Sequence, residues 1–204
     1  MTLTNAYTTL AAVRYMLGIT NSADTGNDTY IEGIVHAVSR SIDEYCHRRF
    51  FTTTADETRY FQGLDHEMCL TDDIITITTL KTDEDGDRTY EKTWATTDYD
   101  PKPDNYSLDS KPIMWLVCAP NGTLYFPTES KSVQIVGKFG WCALANVPDK
   151  VAQACLLQSV IDFKVQRESP FGVAGSSDTG TSSVIKNDEV KNLLAQYVRI
   201  IGNG

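Results

Sequence analysis

Apolar positions along this chain follow one period at its two ends and another in its middle. Near the N-terminus the spacing predicts a short helix over about Leu10 to Leu17. Thr8 or Thr9 can cap its free N–H groups, and Gly18 can supply a left-handed exit. After a polar loop, Asn21 to Asn27, a longer helix is predicted from an Asp28 cap to about Cys46. Its stripe of Ile31, Ile34, Val35, Val38, Ile42 and Tyr45 has the spacing of one helical face. His47, Arg48 and Arg49 close it, and cations at that end complement the helix dipole.

From Phe50 to Trp141 the texture is that of strands, rich in Thr, Tyr and Val with turn residues at short intervals. Ile75, Ile77 and Thr79 alternate with Thr76, Thr78 and Leu80. Asp85-Gly86 signals a hairpin, with Arg88 to Trp94 as the returning strand. Five prolines, from Pro101 to Pro127, leave room for short strands near Asn105–Leu108 and Ile113–Cys118. The last strand is Val133 to Phe139, with Val133, Ile135, Gly137 and Phe139 on one face.

A third helix is predicted from Pro148 to about Arg167. It is apolar on nearly all sides, and such a helix must be covered on nearly all sides. Leu156, Leu157, Val160, Ile161 and Phe163 are therefore candidates for contact with neighbouring subunits. The stretch Ser169-Pro170-Phe171-Gly172-Val173-Ala174-Gly175 ends the helix, and Ser176 to Ser183 has the composition of a flexible linker. A last amphipathic helix starts near Asn187 or Asp188, with Val190, Leu193, Leu194, Tyr197, Val198 and Ile201 as its stripe. It either folds back on its own core or docks on a partner.

The predicted class is α+β: a small bundle of three to four helices with an inserted antiparallel β-rich domain. The segments are 1–50 (N-terminal helices), 51–141 (the β-domain), 142–175 (the long helix and its loop) and 176–204 (linker and C-terminal helix). At 204 residues the chain can bury a core without disulfides or a metal. Its 18 basic and 27 acidic side chains give a net charge of −9. That balance disfavours tight nucleic-acid binding and polybasic membrane contact. No run approaches the roughly 20 apolar residues of a membrane span, and no targeting signal is expected. Five widely spaced cysteines read as small buried hydrophobes in a reducing compartment.

Candidate chemistry is sparse. The sequence has no phosphate-binding Gly-rich loop, nucleophile elbow or His-Glu-x-x-His pair. Cys46-His47 with His66-x-x-Cys69 lacks the paired spacing of a zinc site, and no third residue orients a Cys46–His47 nucleophile. A calcium loop aligned from Asp83 fails, with Arg88 where Gly is needed and Trp94 where Glu is needed. Aromatics such as Tyr60, Phe61, Trp94, Tyr99, Tyr106, Trp115, Tyr125, Phe126 and Trp141 suit strand-face packing better than a ligand site. No enzyme, cofactor or metal is expected.

Four stretches, in this order, resemble the head–tail connector (adaptor) proteins of tailed bacteriophages. They are Thr9–Ile19, Ile42–Phe50 with its aromatic and basic end, Val133–Trp141 leading into Val147–Ala154, and Arg167–Gly175 before a terminal helix. The β-rich middle is not covered. The resemblance implies a structural virion protein of the neck, between capsid and tail, assembled in the host cytoplasm. It implies a ring, twelvefold like the portal, that binds below the portal protein, extends the DNA channel and receives the tail or a stopper. DNA would pass without specific binding, and no membrane would be involved. Portal docking then falls to Val190, Leu193, Leu194, Tyr197 and Val198. The alternatives are a neighbouring tail-completion protein of the same neck, or a small-ligand or carbohydrate-binding β-module with helical flanks.

Overall fold

A computed structural model describes residues 4–120, 122–168 and 187–199. The helices are α1 (Leu10–Met16), α2 (Asp28–Cys46), α3 (Asp149–Glu168) and α4 (Asp188–Leu194). The strands are β1 (Glu57–Phe61), β2 (Met68–Thr82), β3 (Lys92–Trp94), β4 (Tyr99–Lys102), β5 (Ile113–Cys118) and β6 (Val133–Phe139). The fold is α+β. The chain divides into a helical unit, Met1–His47 with Leu144–Gly204, and a sheet unit, Arg48–Ala143.

In the helical unit, local sequence sets the helix ends. The Thr9 hydroxyl accepts from the Ala12 N–H at 3.1 Å and caps α1, and Gly18 leaves it at φ +74°. Asn27, not Asp28, occupies the cap position of α2, and its side chain makes no capping bond. The Asp28 carboxylate instead receives Arg14 Nη1 at 2.6 and 2.7 Å, which ties the end of α1 to the start of α2. Ile31, Ile34, Val35, Val38 and Ile42 are buried as the stripe requires, joined by Ser39 and Cys46, whereas Tyr45 stays half-buried. His47 ends α2 in the left-handed region at φ 51°.

The sheet is antiparallel, in the order β1-β6-β2-β5-β4, with β3 also on β2. β6 has the predicted ends, and its Val133, Ile135, Gly137 and Phe139 are buried. β2 does not keep the simple alternation. Its register shifts between Leu70 and Ile74, between Ile74 and Thr76, and between Ile77 and Thr79. Bulges reset which face a side chain points to, so Ile74 and Leu80 are buried while Ile75 and Ile77 are only half-buried. Asn105–Leu108 forms turns, and the strand in that region is β4, with Pro101 inside it. A proline is tolerated there because β4 is an edge strand, as is β1.

The Asp85-Gly86 hairpin has a long connection, because β3 is only three residues. The buried Asp83 carboxylate organises it, accepting from the backbone N–H of Gly86 and of Arg88, each at 2.8 Å. Burial by itself raises the Asp83 carboxyl, but those hydrogen bonds prevail and hold it below its ordinary range. The core of the sheet unit is aromatic at its centre. Trp94 stacks on Phe126 with centroids 4.5 Å apart, and Trp94 Nε1 donates to Thr82 Oγ1 at 3.0 Å. No described helix is long and apolar enough to cross a membrane.

Candidate functional site

Among the described residues, the cysteines and histidines singled out in sequence form no metal-ligand group. The thiols of Cys69, Cys142 and Cys155 lie above their ordinary range, with burial the main cause; Cys69 reaches about 12 and Cys142 about 11. A thiol held protonated at neutral pH is a poor nucleophile and a poor metal ligand. Cys46, His47, His66 and Cys69 do not converge. The acidic group that does converge is Asp83, Asp85 and Glu91. Its buried member already serves the two backbone N–H groups of the hairpin, which is a structural use of the carboxylate.

The sequence candidates that remain concern surfaces. In α3, one face packs against α2 through small and polar side chains. Ser39 Oγ lies 3.5 Å from Cys155 Sγ, and Ser159 Oγ donates to the Cys155 carbonyl at 2.7 Å. Ser159 and Gln158 are buried, while the larger Leu156, Leu157 and Ile161 are only half-buried. The five interface candidates on α3 thus divide. Val160 and Phe163 are buried by their own chain, and Leu156, Leu157 and Ile161 keep apolar surface on the outside. Toward the end of α3, Val165 is exposed, and Tyr30 of α2 packs on Phe163 with centroids 5.9 Å apart.

The five docking candidates divide too. The Asn187 side chain accepts from the Glu189 N–H at 2.8 Å and starts α4. α4 lies against α3, and Val190 and Leu194, one turn apart, are completely buried. Their side chains are spent inside the helical unit. Leu193, Tyr197 and Val198 remain half-buried and offer the outward part of that segment. Ile201 and the 169–186 stretch, with its Ser-Pro-Phe-Gly-Val-Ala-Gly loop, lie outside the described residues.

Further apolar surface is scattered. On α1, Tyr15 is 78% exposed beside an open cleft of about 370 Å³ that includes Ala11, Arg14 and Ile19. In the sheet unit, a second open cleft of about 370 Å³ lies beside β1, lined by Tyr60, Leu64, Leu70 and Lys131 among others. At the other side of the sheet, Leu108 is 84% exposed in the loop after β4.

The sequence signals for these features were uneven. The burial of Val190 and Leu194 follows from their one-turn spacing. The half-exposure of Leu157 and Ile161 does not, because periodicity cannot say which side of an all-apolar helix its own chain covers. The buried ion pair of Arg48 with Asp73, at 3.7 Å, was not legible either. It turns one of the presumed helix-end cations inward.

No protein-family model matches the sequence, and no curated protein matches it. Among solved structures, the chain is similar to a chain in the structure described as the neck of an empty gene transfer agent (GTA) particle computed with C6 symmetry. The TM-score is 0.58 at 16% sequence identity, covering 100% of this chain and 96% of that one. A chain in the virion of a native GTA particle matches with the same values. At that identity the likeness is one of fold, and it extends over the whole chain.

Proposed function

We propose that the protein is a structural subunit of the neck of a tailed-phage-like particle, acting as a head–tail connector (adaptor) without catalysis. The observation that carries this reading is the likeness along the full length of the chain to a neck component, at a TM-score of 0.58. A likeness restricted to the helices or to the sheet would have supported much less. The order of the four sequence stretches, from Thr9 to Gly175, points the same way independently of the structure.

In this reading the subunits form a ring below the portal protein. The ring extends the DNA path and offers a docking surface to the tail or its stopper. A head-to-tail interface closing after a fixed rotation makes such a ring, and the sixfold symmetry of the GTA reconstruction is compatible with a twelvefold ring. Leu156, Leu157 and Ile161 supply apolar surface for contact between neighbours. Leu193, Tyr197 and Val198 supply the portal-facing surface, held in place by the buried Val190 and Leu194. The charge suits a conduit. The sheet unit has ten basic and sixteen acidic residues, net −6, and the helical unit eight and eleven, net −3. Acidic walls repel phosphates over about 8 Å at physiological salt.

The test is electron microscopy of the full-length protein mixed with the portal protein of the same particle. A ring stacked coaxially on the portal is expected. A protein that stays monomeric and leaves the portal bare would sink the reading.

A further inference from the structure

The two segments by which the chain enters and leaves the sheet unit are fastened to each other and to the middle of β2. Residues 48–53 lead in and 139–142 lead out. Trp141 N–H donates to the Arg49 carbonyl at 2.9 Å, and Thr53 N–H to the Phe139 carbonyl at 2.9 Å. Phe139 N–H donates back to Thr53 Oγ1 at 3.2 Å, and Thr52 Oγ1 donates to the Cys142 carbonyl at 2.7 Å. Phe50 packs on Trp141 with centroids 5.8 Å apart.

Both segments also meet β2 where its register shifts between Leu70 and Ile74. There the Asp73 carbonyl accepts from the Gly140 N–H at 2.8 Å. The Asp73 carboxylate faces the Arg48 guanidinium at 3.7 Å, and both side chains are more than nine-tenths buried. The guanidinium also lies 4.6 Å from the centre of the Trp141 ring. Gly140, at φ +138°, is required by the close approach, since a Cβ there would sit 2.2 Å from the Phe51 carbonyl oxygen.

We propose that Arg48, Asp73 and Trp141 form a clamp that closes the sheet unit on its own two chain ends, so that the unit opens as one cooperative body independently of the helices. An inserted domain ordinarily depends on its host to hold its ends together. Here the fastening lies wholly inside the insertion. A buried charge pair is well suited to the task, because removing one partner leaves the other's charge desolvated and less compensated. The pair stacked on indole also selects Arg over Lys, whose ammonium lacks the planar face. The inference does not depend on the neck reading.

Native-state hydrogen exchange on the full-length protein in low denaturant tests it. Amides of β2 and β6 are expected to exchange through one opening, and those of α2 and α3 through another with its own denaturant dependence. Arg48→Met should speed the β2 and β6 amides by about 100-fold or more, leaving α2 and α3 within about threefold. Arg48→Lys, which keeps the charge, should give an intermediate acceleration of about tenfold, and it carries the test should the methionine variant fail to fold. Helical amides that accelerate in step with the strands, or strands unmoved in both variants, would overturn the clamp.

Discussion

The helical unit and the sheet unit hold their cores together by different means. The helical unit leaves part of its apolar surface outward: Leu156, Leu157 and Ile161 on α3, and Leu193 and Tyr197 in the α4 segment, are only half-covered. It buries Ser39, Gln158 and Ser159 in their place. The sheet unit places Trp94, Phe126, Phe139 and Leu116 fully inside and fastens its own ends. Both units leave apolar side chains outside, Tyr15 and Val165 in one and Leu64 and Leu108 in the other, so the difference lies in how each core is fastened.

The sharpest way to break that contrast is to add one methyl group to the sheet. Gly137→Ala would place a Cβ 2.0 Å from the Thr76 carbonyl oxygen. A loss of more than about 3 kcal/mol, read by denaturant unfolding with a tryptophan signal, is expected for the sheet unit. On the helical side, truncation after Gly175 removes Val190 and Leu194 from the core, and Leu194→Ala alone should cost about 2–5 kcal/mol. Helical circular dichroism should record this loss, with the sheet transition unmoved; joint loss of both would contradict two separate units. Trp94→Phe deletes the donor to the buried Thr82 hydroxyl and should cost about 1–3 kcal/mol in the sheet unit.

Acid provides a gentler probe. The Asp83 carboxyl is held below its ordinary range, so its contribution is present above the unfolded carboxylate range and lost as pH falls through the lowered folded value. The hairpin amides of Gly86 and Arg88 should lose exchange protection on that descent, and Asp83→Asn should flatten the effect. The smallest change in stability is expected for Leu157→Asp, within about 1 kcal/mol, because that side chain is already partly outside. On the proposed neck role its effect should instead be on assembly: a folded monomer unable to form the proposed ring on the portal would sharpen the contrast, and unimpaired rings would blunt it.

What could be read in the sequence follows the same division. Helix positions came from local rules: the Thr9 cap, the Gly18 exit, the Ile31-to-Ile42 stripe and the one-turn pair Val190 and Leu194 were all visible in short windows. β6 was legible because it alternates without interruption. β2 was not, because three register shifts reset its alternation, and those shifts depend on β5 and β6 far away in sequence. β4 was misplaced because prolines read as breaks, although at an edge Pro101 costs no ladder bond. The candidate surfaces were half legible. Apolar character showed which residues wanted cover, but only the tertiary arrangement showed that Val160 and Phe163 had already found it.

The two outer strands have a consequence for crowding. β4 ends its sheet with Pro101 and is followed by Pro103, while β1 turns Arg59 over the Phe139 ring and holds it there with Glu57 and Asp72. Missing donors on one margin and a charge folded inward on the other are the devices by which sheets refuse to zip onto one another. The ring proposed above would bring copies of the chain together at very high local concentration. At these two margins backbone pairing between copies is disfavoured, which leaves side-chain faces as the means of adhesion there and works against fibre growth.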